Sequence, residues 1–214
     1  MKFLKNHLLL VSLITIILSS PFLEDYRSGG LISLFLLSVS TFLCLLILSV
    51  HRRIFWAMVI ISILTIGTEV FHLFFPSSIL STVQYFNLSV LIFLFAGILF
   101  YTIMTLKSLS FSDLSNAISI YLLLGIGFGF LYSFIEKIHP GSISSATPGN
   151  YEISGDMIYY SFSVLTTVGF GDMTPLGKVA KVLAMSEAVL GVLYIAIMIG
   201  RLVGISTSEK HKNN

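Results

Sequence analysis

The chain is 214 residues long, 56% hydrophobic and only 10% charged, with a formal net charge of +2 and a mean hydropathy of +0.97. A soluble domain of this size could not withdraw that much apolar surface from water, and without a basic cluster or an aromatic nucleic-acid motif there is no case for nucleic-acid binding. Runs of about 18 or more apolar residues, the length that crosses a bilayer as helix, predict spans at 8–23, 29–50, 54–75, 83–106, 116–138 and 179–203. The expected fold is therefore an all-α integral membrane protein with six transmembrane helices.

Lys2 and Lys5 before the first span, with Ser19, Ser20 and Pro21 at its end, give it the outline of a secretory signal. Ile17 and Leu18, however, stand where a cleavage site needs small residues. Cys44, alone in the second span, can form neither an internal disulfide nor a multi-cysteine metal site and reads as a packing or lipid-facing residue. Glu69 and His72 are ionisable groups inside the third span, where such groups are rare unless paired or facing water. Their helical spacing would suit two metal ligands, but no third ligand is in view.

The fourth span, 83–106, contains no arginine or lysine. It lacks the regularly spaced charges of a voltage-sensing helix, so at most weak voltage dependence is expected. After the connector 107–115, Ser112 or Asp113 is suited to cap the fifth helix. Gly125, Gly127 and Gly129 in the fifth span include a small-xxx-small pair that permits close helix contact; no strand precedes them, so they are not a nucleotide-binding fingerprint. No nucleophile motif is present. An enzyme is not expected, nor a cofactor or a small-molecule substrate.

The longest exposed loop, His139 to Gly155, carries Pro140-Gly141 and Pro148-Gly149 turn signals. It leads into Asp156 to Leu165, an amphipathic run with an acidic start and only about 15 Å of helix. Such a helix cannot cross the membrane; it must enter and turn back. Backbone groups left unpaired at membrane depth are tolerated only against protein or a water-filled path, and the C-terminal end of this helix would aim partial negative charge at that path. Thr166, Thr167, Val168, Gly169, Phe170, Gly171 and Asp172 follow. Gly169 and Gly171 allow backbone angles closed to other residues, so successive carbonyls can point the same way towards a dehydrated cation. One such strand cannot surround an ion, whereas four about a common axis can, and a homotetramer is expected.

From about Asn116 to Gly204 the sequence closely resembles the potassium channel superfamily, whose filter signature Thr-Val-Gly-Tyr/Phe-Gly stands here as Thr167, Val168, Gly169, Phe170 and Gly171. The resemblance implies a selectivity filter in which the carbonyls of Thr167, Val168, Gly169 and Phe170, with the Thr167 hydroxyl, replace the hydration shell of potassium. Potassium is then the permeant ligand. Phe170 replaces the commoner tyrosine and so lacks a hydroxyl that often ties the filter to the helix behind it. Asp172 matches the acidic residue that closes the signature, Met173-Thr174-Pro175 resembles the usual continuation, and Tyr159 and Tyr160 match aromatic positions that pack around the filter. In related channels the connector between the fourth and fifth spans couples peripheral helices to the gate.

In the sixth span Glu187 is placed to brace the short helix from behind, as a proton-sensitive filter support or as a packing residue. Gly191 is a gating hinge candidate by the same resemblance, or a close-packing residue, and Gly200 and Gly204 are further soft points. Lys2, Lys5, Arg52, Arg53, Lys107, Arg201, Lys210 and Lys212 fall on one side of the six-span layout, and Arg27, Lys137, Lys178 and Lys181 on the other. The positive-inside rule puts both termini in the cytoplasm of a cell-membrane protein embedded in the lipid bilayer. The expected organisation is a four-helix region over 1–107, a cytoplasmic connector over 108–115, a pore domain over 116–205 and a short polar tail over 206–214. The expected function is passive, potassium-selective conduction. The alternatives are a weakly selective cation channel and a non-conducting membrane scaffold or accessory subunit.

Overall fold

The structure, a computed structural model, describes residues 2–23, 52–75, 77–106, 111–145 and 155–212. In chain order these form α1 (Lys2–Leu23), α2 (Arg52–Phe74), α3 (Ser78–Thr105), α4 (Phe111–Ile138), β1 (Ile143–Ser145), α5 (Gly155–Leu165), β2 (Met173–Pro175) and α6 (Lys178–Lys212). Among the described residues three helical segments are long and apolar enough to cross a membrane: Ser78–Thr105, Asp113–Ile138 and Lys178–Ile205. The first and third expected spans coincide with α1 and with α2, whose apolar part is Val59–Thr68. The second expected span, with Cys44, lies outside the described residues, as do the side chains of Glu69 and His72.

Helix α4 begins at Phe111, ahead of the capping position assigned to Ser112 or Asp113, so Asp113 sits in the first turn, where an acidic group favours the helix dipole. Helix α6 continues through Lys212, so the stretch read as a polar tail is helical to that point. The all-α expectation needs one amendment. Strands β1 and β2 pair antiparallel, Ile143 opposite Pro175 and Ser145 opposite Met173.

Helix α3 lies along α4, α1 packs against α4, and α2 packs against α3. The buried side of α3 (Leu88, Leu91, Ile92, Phe95, Leu99 and Ile103) repeats at the three-to-four-residue helical period and meets Ala117, Ile120, Leu123, Ile126 and Phe130 of α4 with Leu9 and Leu13 of α1. Lipid is as apolar as these side chains, so close van der Waals packing rather than escape from water holds such helices together. A second cluster, formed by Phe128, Tyr132, Ile143, Met157, Tyr160, Met173 and Ala180, lies under the β pair and joins α4, α5 and the start of α6.

The chain leaves α4 through a turn in which Gly141 takes φ +83°, a left-handed angle that glycine adopts without steric cost. The buried Glu136 carboxylate then accepts the amides of Gly141 at 2.6 Å and Ile143 at 3.0 Å. Ser142 O accepts the amides of Leu176 and Gly177 at 2.8 and 3.0 Å. One acidic side chain and one carbonyl thus fix the crossing of β1 over β2, which sets where α6 starts. Glu136→Ala removes the acceptor of the buried Ile143 amide, a loss of about 1–3 kcal/mol. A lower melting midpoint and faster hydrogen exchange at residues 141 and 143 are expected, and unchanged exchange there would contradict this role.

Candidate functional site

Helix α5 has 11 residues, about 16 Å of helix against a hydrocarbon core of about 30 Å. It is wedged between α4 and α6, and the glycines facing it explain how it gets so close. A methyl group on Gly129 would fall 2.8 Å from Ile158 Cα, one on Gly125 2.5 Å from the Phe162 ring, and one on Gly191 2.2 Å from Leu165 O. Gly125 and Gly129 are therefore the helix-contact pair that their spacing suggested. Gly191 lies within the unbroken helix α6 and serves as the seat for the last turn of α5.

Polar contacts complete the seat. Tyr121 Oη donates to Leu165 O at 3.1 Å, capping one of the carbonyls that a helix end leaves open. Glu187 is fully buried. Tyr132 Oη donates to its Oε2 at 2.6 Å, and Ser161 Oγ lies 2.5 Å from its Oε1 and 2.7 Å from Gly125 O. Glu187, Gly191 and Tyr194 follow one another at helical spacing along the buried side of α6, and Tyr194 Oη donates to Ala117 O at 2.5 Å.

Beyond Leu165 the chain stops being helical. Thr166 donates from its hydroxyl to Phe162 O at 2.6 Å, the Thr167 amide to Val164 O at 2.9 Å and the Gly169 amide to Ser163 O at 3.0 Å. Positive φ occurs at alternate residues: Thr167 at 59°, Gly169 at 55° and Gly171 at 82°. Val168 and Phe170 between them are not in that region. Alternation of this kind turns successive peptide groups the same way, with amides gathered on one edge. Here two of those amides, of Thr167 and Gly169, are tied back to α5. No packed neighbour requires the glycines: a methyl group on Gly169 or Gly171 would meet nothing within 4 Å in the chain. Their backbone angle is the constraint. Residues 166–172 are all exposed on the single chain.

Tyr159 and Asp172 clamp the far end of the loop, before β2. The Tyr159 hydroxyl donates to Asp172 Oδ2 at 2.7 Å, its ring stacks on Phe170 at 5.9 Å and 9°, and Asp172 Oδ1 accepts the Met173 amide at 3.0 Å. Tyr160 points inward, buried, with its ring edge-on to Tyr132 at 4.8 Å, and its hydroxyl has no partner among the described residues.

Sequence reading missed Tyr121, Tyr132 and Ser161, because isolated hydroxyls on apolar helices give no signal of the helix they will meet. It also missed Arg201, read only as a topological charge. Its guanidinium donates to Met104 O at 3.0 Å and to Leu106 O, binding the C-terminal half of α6 to the C-terminal end of α3. Glu136 carried no signal either.

Burial is not the main influence on Tyr159. Its hydrogen bond to Asp172 is, and it raises the phenol above its ordinary value of 10.0. A phenol held more tightly in the folded chain stabilises fully below the ordinary value and loses that contribution as pH rises through the raised one. Tyr159→Phe should destabilise the folded chain at neutral pH by roughly 1 kcal/mol for one lost hydrogen bond, seen as a lower melting midpoint, and the gap to wild type should close in strongly alkaline solution. An undiminished gap there would show that the bond is not responsible.

Comparison with known proteins bears on the same segment. Residues 120–207 match a family model described as "Ion channel". Over 99 residues the chain is 30% identical to Protein LctB of Bacillus caldotenax, covering 44% of this chain and 73% of that protein. Over 82 residues it is 32% identical to Protein LctB of Geobacillus stearothermophilus, covering 36% of this chain and 60% of that protein. No solved structure matches the chain significantly.

Proposed function

Because the chain belongs to the ion channel family, we propose that it is a potassium-selective channel of the cell membrane, with both termini cytoplasmic and four copies arranged around the loop 166–172. The observation that carries this reading is the alternating positive φ at Thr167, Gly169 and Gly171, together with the tethering of the Thr167 and Gly169 amides to α5. Amides held back in this way present the carbonyls of Thr167, Val168, Gly169 and Phe170 as ligands. A ring of such carbonyls can take the place of the water around a potassium ion.

A single copy leaves that edge half built. It also leaves Val179, Val182, Met185, Val189, Val192 and Ile199 of α6 exposed on the chain. In the proposed tetramer α6 lines the pathway and borders its neighbours. Gly191 seats α5, so any bend at this position would have to break its contact with Leu165. Without basic residues in α3 between 83 and 105, the four N-terminal spans carry no regular gating charge in that helix, and voltage dependence is weak. Potassium is the permeant ion, and the proposal includes no cofactor and no catalysis.

The test is flux in liposomes containing the full chain. Wild type should pass potassium, with a reversal potential in mixed potassium and sodium solutions that tracks the potassium gradient. Gly169→Ala places a Cβ in left-handed geometry, at about 1–2 kcal/mol per chain, while the space around it stays open. It should cut the flux and leave the protein folded. Assembled wild-type protein with no flux would make the chain a scaffold or accessory subunit, and a reversal potential indifferent to the choice between the two ions would make it a weakly selective cation channel.

A further inference from the structure

Three short oxygen contacts meet at Glu187: Tyr132 Oη to Oε2 at 2.6 Å, Ser161 Oγ to Oε1 at 2.5 Å, and Ser161 Oγ to Gly125 O at 2.7 Å. Each needs a hydrogen between its oxygens, because lone pairs at that distance repel. The two hydroxyls bring one hydrogen each, and a backbone carbonyl brings none. We infer that Glu187 is a neutral carboxylic acid that donates from Oε1 to Ser161, which donates in turn to Gly125 O, while Tyr132 donates to Oε2.

Only this placement gives each contact one hydrogen. A proton on Oε2 would duplicate the one that Tyr132 supplies and leave Ser161 short. A carboxylate would make Ser161 choose between Oε1 and Gly125 O. The surroundings agree with the count. The ionisable groups facing Glu187 are phenols, Tyr121 and Tyr132 from α4 and Tyr160 from α5, α6 itself contributes none, and among the described residues no cation acts on the carboxyl. A buried charge without a partner is strongly disfavoured, the more so within a membrane.

As an acid, Glu187 is a positioning residue that links α6 through α5 to α4 in a single run of hydrogen bonds. This is a specific version of the support expected for it, and it rests on the geometry of the joint rather than on potassium conduction. Loss of the proton would strand one contact without a hydrogen and place an unpaired anion behind α5, so the joint should weaken in alkali.

Glu187→Gln provides the test, because its amide oxygen can accept from Tyr132 and its amide nitrogen can donate to Ser161, reproducing the acid but not the carboxylate. In infrared spectra of the full chain in lipid at neutral pH, wild type should show a protonated-carboxyl carbonyl band that is missing from Glu187→Gln. The variant should keep the wild-type melting midpoint. Raising the pH should abolish the wild-type band and lower the wild-type midpoint more than that of the variant. If the substitution removes no such band, or if the variant fails to fold or melts well below wild type, the inference is overturned. A chain that shows the band but passes no potassium would refute the channel reading and leave this inference standing.

Discussion

Everything at the site depends on seating a helix too short to cross a membrane between two helices that are long enough to do so. A helix of 11 residues leaves its last carbonyls without partners inside the helix. This chain answers with contact rather than with solvent. Gly191 lets α6 approach Leu165 O until no side chain could fit between them, and Tyr121 reaches the same oxygen from α4. The amides that follow fold back onto Val164 and Ser163, so the end of the helix and the start of the loop satisfy one another.

The seat is held at both of its flanks. On one side Glu136 and Ser142 fix the β pair, which delivers the chain from α4 and starts α6 at Lys178. On the other, Arg201 joins α6 to the last carbonyls of α3. A cation at a helix C-terminus is favoured by the helix dipole as well as by its hydrogen bonds. Movement of the C-terminal half of α6 therefore carries α3 with it or breaks those bonds.

Much of this was legible in the sequence, and the reason is that membrane constraints act on composition. Apolar length marks α3, α4 and α6, and a run too short to cross marks α5. The close-packing glycines of α4 were readable as well, since a small residue every four positions is a local pattern. What the sequence hid is pairwise. Ser161 and Tyr132 look like ordinary residues on apolar helices until Glu187 is placed between them. Glu136 looks like a surface charge until the turn at Gly141 brings two amides to it. The β pair was hidden because three residues are too few to display an alternation.

Thr167 is the most instructive departure. Left-handed angles were expected at Gly169 and Gly171, where glycine accepts them freely, but a β-branched residue at φ 59° is an outlier that costs on the order of 1–3 kcal/mol. Such a conformation survives only where its surroundings over-determine it. Here the Thr167 amide is bonded to Val164 O and its neighbour Thr166 is held twice by Phe162 O, so relaxing the angle would release the turn that ends α5. Glycine at 167 would remove the strain together with the side-chain hydroxyl. The strain at this position is therefore carried by the hydrogen bonds that end α5 rather than relieved by the residue type.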